Sequence, residues 1–257
     1  MAWLRSALFN LVFFGWTALL ALLGLPALAG KGGVHALGRF WIGGLFWALR
    51  VLVGLVYRVE GREHMRPPPV IYAAKHQSTW DTLVFALLLD RPAYVLKREL
   101  TWIPLFGWYL TRGGAVAVDR SAGGAALRRM LRQAGRAVAE GQPLVIYPEG
   151  TRTAVGERRP YQPGVAALYT RLGLPVVPVA LNSGLFWRRR GFVKRPGTVT
   201  LRLLPAIPPG LSRRDFMAAL ERSIEEASDE LARLAAPPVD KAVDNSQTRP
   251  QRIAEMD

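Results

Sequence analysis

His76, one of only three histidines in the chain, stands five residues before Asp81 in the stretch "KHQSTWD". An imidazole whose Nδ1 proton is held by a carboxylate keeps Nε2 free to accept a proton from a hydroxyl, which is general-base chemistry. A second stretch, "YPEGTR" at 147–152, contains Pro148 and Gly150, which force a turn, and a hydroxyl on Thr151. Its Arg152 carries a planar fork of donors suited to a phosphate. Each stretch also has a plain structural reading. An aspartate in the first turn of a helix is favourable by itself, and "YPEGTR" would serve as a loop with a salt bridge. Together they describe a base beside an anion site.

Such groups have to be carried by a framework. Short apolar runs at 70–74, 93–96, 115–118, 144–147, 176–181 and 198–203 read as strands, and 79–89, 125–140 and 164–172 between them as helices. The alternation predicts an α/β fold, a mixed and largely buried sheet flanked by helices. His76 then follows the end of the strand "VIYAA" and "YPEGTR" follows "PLVI", so both lie at carboxyl edges, where open α/β sheets place ligands. Lys97 closes "AYVLK" and Arg120 closes "AVAVDR", which puts two further cations at strand ends. Basic residues at strand ends are ordinarily just solvated, so these two join the site only through the company they keep.

Ahead of the α/β pattern the chain is far more apolar. The run at 7–23 is interrupted only by Asn10, Gly15 and Thr17 and would make a helix of roughly 26 Å. "GKGG" at 30–33 reads as a turn, and a second apolar run follows at 40–56. A cleaved signal peptide would also show Arg5, an apolar stretch and small residues at 27–30, but a second apolar segment directly after the first argues for retention. The favoured reading is a helical hairpin that spans the bilayer or lies in one leaflet, with Arg39 and Arg50 reaching to phosphates and tryptophans at the interface. The expected organisation is a membrane hairpin over 1–59, a catalytic domain over 60–236 closed by a helix from Ser212 to about Leu234, and a disordered tail over 237–257.

Lysines and arginines number 34 against 19 acidic residues, a net charge of +15, which calls for an anionic partner. A further cluster, Arg188, Arg189, Arg190, Lys194 and Arg195, is interleaved with Phe186, Trp187 and Phe192; it reads equally as a solvated loop or as a contact for lipid or carrier phosphates. Nucleic acid is disfavoured as the partner, because apolar strands interrupt the basic residues and the chain begins with membrane segments. With no cysteine there is no disulfide, thiolate metal site or cysteine nucleophile. Three scattered histidines without H-E-x-x-H supply no metal ligand set, and no serine sits in G-x-S-x-G.

Four stretches, "HQSTWD", "GGAVAVDR", "YPEGTR" and "VVPVALN", stand in the order and approximate spacing of the four motif blocks of the glycerolipid acyltransferases. Over roughly 61–182 the chain resembles the members of that family that acylate 1-acyl-glycerol 3-phosphate. The resemblance implies that His76 is the general base and Asp81 its partner. It also implies that Arg120 helps to hold the acceptor's phosphate, that Glu149, Gly150, Thr151 and Arg152 bind and position the acceptor, and that Pro178 shapes the acyl-donor side. Lys97 falls where such enzymes often carry a lysine. The implied reaction moves an acyl group from acyl-CoA or acyl carrier protein to lysophosphatidic acid, with no cofactor, at the inner membrane of a bacterium with the site facing the cytoplasm. Lys75 stands where many members have Asn, Tyr147 where Phe is common, and Gln162 in "YQPG" near a position that is often basic. A lyso-aminolipid or glycerol 3-phosphate therefore stays open as acceptor. Donor hydrolysis and a non-enzymatic basic membrane binder are the rival classes.

Overall fold

The computed structural model describes residues 1–119 and 123–235. Arg120 and the tail expected at 237–257 lie outside the described residues. Seven strands form one sheet: β1 (Leu55–Glu60), β2 (Ile71–Ala74), β3 (Ala93–Lys97), β4 (Val116–Val118), β5 (Leu144–Ile146), β6 (Val176–Leu181) and β7 (Gly197–Leu203), in the order β1-β7-β6-β2-β5-β3-β4. Neighbouring strands are parallel except at β6 and β7, so the outer pair β1 and β7 runs against the other five. The sheet is thus mixed and flanked by helices on both faces.

Alternation along β2 shows how both faces are covered. Ile71 and Ala73 pack into a core with α5 (Gly123–Ala139), α6 (Pro163–Leu172) and α7 (Arg213–Ala235), represented by Met130, Val165, Phe216 and Leu220. Tyr72 and Ala74 point the other way, against Phe9 of α1 (Ala2–Leu23), Leu49 at the end of α2 (Lys31–Ala48) and Trp80 and Val84 of α3 (Trp80–Leu88). A strand buried on both faces has no polar alternation, which is why β2, β5 and β6 read as continuous apolar runs. In α5, Ala126, Met130, Ala134 and Ala137 recur at helical spacing and are buried, while Arg128, Arg129, Arg132 and Arg136 point away. Pro163 opens α6 and Gly173, in the left-handed conformation, closes it.

The amino-terminal elements differ from expectation in two respects. "GKGG" is not the turn. The chain turns earlier, through a 3₁₀ segment at Leu25–Ala29, and α2 starts at Lys31 and runs through the glycines, ending in a π-helical turn at Leu49–Val53. Gly33 is there for close packing, since a Cβ at that position would stand 2.9 Å from the carbonyl oxygen of Ala27. Residues 55–60, grouped on sequence with the apolar segment before them, form β1 and pair in register with β7. This edge strand carries Arg58 and Glu60, and Glu60 is bridged by Arg202 of β7 at 2.8 Å; charges of this kind protect a sheet edge from pairing with another chain. Between β3 and β4 lies a helix not anticipated on sequence, α4 (Phe106–Arg112).

Candidate active site

The parallel strands β2, β5, β3 and β4 present their carboxyl ends along one edge, in that spatial order. His76 follows β2, residues 147–153 follow β5 and Lys97 ends β3. With about 4.8 Å between strands, Lys97 stands roughly 10 Å along the edge from His76. Asp119 follows β4 and pairs with Arg98 at 2.7 Å. Lys97 itself is exposed. Pro178 lies within the buried strand β6, opposite Ala73 and short of this edge, so it is part of the sheet and offers no surface to a ligand.

Asp81 is fully buried in the first turn of α3. Its Oδ2 accepts from the backbone amides of Gln77 at 2.6 Å and Ser78 at 2.7 Å and lies 3.1 Å from His76 Nδ1. Its Oδ1 accepts from the Ser183 hydroxyl. A carboxylate held by donors on both oxygens is an acceptor only, so the ring proton sits on Nδ1 and the Nε2 lone pair is left for a reactant. The imidazole is not free to turn. Tyr147 stacks on it with ring centroids 4.1 Å apart, and the Tyr147 hydroxyl donates to the carbonyl of Asp81 at 2.9 Å. Burial, with the nearby Tyr94 and Asp81, pushes the Tyr147 phenol well above its ordinary range, so it stays a neutral donor.

The backbone of His76 is clamped from the other motif. Its amide donates to Glu149 Oε2 at 2.9 Å, and its carbonyl accepts from the Thr153 amide at 2.8 Å. Gly150 permits the intervening loop by adopting a φ of 68°. Glu149 Oε1 accepts from Thr153 Oγ1 at 2.8 Å and from Lys75 Nζ at 2.6 Å. The resemblance implied that Glu149 meets the acceptor, but its side chain is 0% exposed and both oxygens are taken by the protein. Burial pushes this carboxyl up from the usual range, against the pull of the Lys75 charge and the hydrogen bonds from Thr153 and His76. Arg152, by contrast, makes no ion pair with any described residue. Burial draws its value down, against the pull of Asp81 and Tyr147, and the charge of Arg189 adds to the depression. A half-buried guanidinium that has no ion pair among the described residues and feels Asp81 only through its charge is suited to an incoming anion.

Sequence reasoning missed five participants: Lys75, Thr153, Tyr161, Ser183 and Glu225. Lys75, Thr153 and Ser183 directly adjoin the motif stretches, and adjacency was the available signal. Glu225 lies on α7 beside the apolar stripe of Phe216, Leu220, Ile224 and Leu231, where nothing in the pattern distinguishes it from a solvated glutamate.

Residues 56–182 match the family model described as Acyltransferase. A 1-acyl-sn-glycerol-3-phosphate acyltransferase of Pseudomonas aeruginosa is 38% identical over 167 residues, 65% of this chain and 65% of that protein. The human 1-acyl-sn-glycerol-3-phosphate acyltransferase alpha is 28% identical over 220 residues, 83% of this chain and 77% of its own. The chain thus spans just under two thirds of the Pseudomonas relative. The crystal structure of the 1-acyl-sn-glycerophosphate acyltransferase PlsC from Thermotoga maritima superposes with a TM-score of 0.74 over 90% of this chain and 98% of that one, at 22% identity, a likeness of fold.

Proposed function

We propose that this chain, which belongs to the acyltransferase family through residues 56–182, moves a fatty acyl group from a thioester donor to the sn-2 hydroxyl of lysophosphatidic acid, yielding phosphatidic acid. The donor is acyl-CoA or an acyl carrier protein. The observation that carries this reading is the His76–Asp81 pair at 3.1 Å close to Arg152, which makes no ion pair among the described residues. His76 Nε2 takes the proton of the hydroxyl as its oxygen attacks the thioester carbonyl; the carbon–sulfur bond breaks, and the imidazolium returns the proton to the departing thiolate. Asp81 holds the ring and stabilises its protonated form. Arg152 receives the acceptor's phosphate, with Lys97 further along the same edge, while Gly150 and Thr151 shape the turn that presents it; Arg120 is assigned to the same phosphate by the resemblance alone. Glu149 acts from behind, through the His76 backbone.

The membrane contact is the amino-terminal hairpin, and the catalytic domain faces the cytoplasm of a bacterium at its inner membrane, where acyl thioesters are made. Two apolar helices at the start of the chain support membrane association. Lying in one leaflet is supported over spanning, because α1 is fastened to the folded body near both of its ends. Near its start, Ser6 Oγ accepts from the Lys194 amide at 2.9 Å; near its end, Tyr109 of α4 donates to the Ala21 carbonyl at 2.9 Å. Leu11, Phe14, Phe40 and Trp47 remain outward-facing, an apolar surface of the kind that enters a bilayer interface.

The test is acyl transfer from a labelled long-chain thioester by the purified chain in detergent, offered lysophosphatidic acid, glycerol 3-phosphate or a lyso-aminolipid. Phosphatidic acid formation that is abolished in His76→Ala, with Arg152→Ala raising the acceptor KM, is the expected result. Turnover only with another acceptor overturns the acceptor assignment, and donor consumption without any acceptor points to hydrolysis.

A further inference from the structure

Lys75 has a buried ammonium between two carboxylates. Its Nζ lies 2.6 Å from Glu149 Oε1 and 2.8 Å from both oxygens of Glu225 on α7, and the three side chains are 2, 0 and 4% exposed. Tyr161 completes the cluster by donating to Glu225 Oε1 at 2.9 Å. We propose that Lys75 and Glu225 are positioning residues for acyl transfer: they hold Glu149 ionised and oriented, so that its Oε2 fixes the backbone of the His76 base. The inference rests on the transferase reading and adds residues that it does not use.

The argument is one of charge and reach. A buried carboxylate without a cation takes up a proton in preference to staying charged. Glu149 is already drawn towards protonation by burial, and the Lys75 ammonium is the nearest group opposing it. A protonated Glu149 is a weaker acceptor and needs a partner for its own proton, so the His76 amide loses its fixed oxygen. Lys75 could not hold Glu149 alone with equal precision, because a lysine stem is flexible. Glu225 anchors the ammonium from behind with both oxygens, and Tyr161 anchors Glu225. In this way α7, 150 residues along the chain from Lys75, reaches the catalytic edge of the sheet. The carboxyl group of Glu149 has no exposed surface, so the effect must pass through His76 and not through contact with substrate.

The test measures kcat and the acceptor KM across pH for the full-length chain in detergent: wild type, Lys75→Met, Glu225→Gln and the double variant Lys75→Met/Glu149→Gln. In Lys75→Met, kcat per folded molecule is expected to fall about tenfold or more near neutral pH with acceptor KM within about twofold, and the acid limb of the profile should move to higher pH as Glu149 takes up a proton. Adding Glu149→Gln removes the titrating group and should cancel that displacement. Glu225→Gln keeps the side-chain shape; where Lys75→Met does not fold, it reads the same proposal, with a severalfold fall in kcat at constant KM. Variants with wild-type kcat and pH profile overturn the proposal, as does a loss carried mainly by KM, which would mean that the cluster touches the acceptor. If wild type transfers no acyl group, the transferase reading itself fails; transfer by wild type with indifferent variants fails the positioning role alone.

Discussion

Tyr147 lies over the face of His76, ring centroids 4.1 Å apart and planes inclined by 26°, and its hydroxyl is bonded to the backbone carbonyl of Asp81 at 2.9 Å. One side chain thus restrains both members of the proposed catalytic pair. Tyr147→Phe keeps the ring and loses the hydrogen bond, so stability should fall by about 1 kcal/mol while kcat changes by less than about threefold. Tyr147→Leu removes the stack, and kcat should fall by about tenfold or more. Thermal unfolding and steady-state transfer measured on both variants check this. Equal kcat in the two would mean that the ring has no part in orienting the imidazole.

Asp81 spends its two oxygens on four donors, from His76, Gln77, Ser78 and Ser183. Asp81→Asn keeps the size, replaces one oxygen with a donor and removes the charge that stabilises an imidazolium. In Ser-His-Asp enzymes the equivalent change lowers kcat by about 10⁴, and a fall of about 10²–10⁴ is expected here at little change in acceptor KM. Ser183→Ala removes one donor only, and a loss nearer tenfold should follow. Parallel rate measurements on the two variants would expose a merely structural aspartate, since both would then lose folded protein and not turnover.

The fold and the site were legible in the sequence to different depths. The central strands announce themselves because β2, β5 and β6 are buried on both faces and read as unbroken apolar runs. β1 did not, because an edge strand half in water carries Tyr57, Arg58 and Glu60 and comes one residue after the apolar π-helical turn that ends the second helix. "GKGG" misled because glycine serves close packing as well as turns, and here Gly33 lies against Ala27. At the site, His76, Asp81 and Arg152 belong to local stretches whose spacing suggests chemistry. Glu225 and Tyr161 meet Lys75 only through tertiary packing, and no local pattern encodes a contact across 150 residues. The inward turn of Glu149 was hidden for the same reason, since it depends on Lys75 and Thr153 together.

Lys194 gives a pH dependence with a definite sign. Its ammonium lies 5.0–5.7 Å from the ring centroids of Trp187, Phe9 and Phe192, and donates to the carbonyl of Phe192 at 2.9 Å and to Asn10. Burial draws its value from 10.5 down to about 8. A value lower in the folded than in the unfolded chain means that folding disfavours the proton. The stability contribution from this group is therefore fully present above about 10.5 and is lost as the pH falls through about 8. Relative to Lys194→Met, the wild-type unfolding temperature should rise between pH 7 and pH 10. Parallel curves would show that the aromatic faces stabilise the cation as much as burial disfavours it.

The attachment of α1 at both ends makes the membrane geometry testable by sidedness. A helix of 22 residues is about 33 Å long and could cross a bilayer by length alone. Crossing would carry the turn before α2 to the far side, away from Tyr109 and Arg112, yet Arg112 donates to the carbonyls of Leu28 at 2.9 Å and Ala29 at 2.6 Å. Those contacts tie the turn to the same folded body that holds Ser6 at the other end. Because the chain has no cysteine, Ala2→Cys and Gly32→Cys each introduce a unique thiol at an exposed position. In sealed vesicles carrying the catalytic domain outside, a membrane-impermeant maleimide should label both at similar rates if the hairpin lies in one leaflet. Labelling of Ala2→Cys alone, with Gly32→Cys reached only after the vesicles are opened, would mean that the hairpin crosses and that the α4 contacts yield to the bilayer.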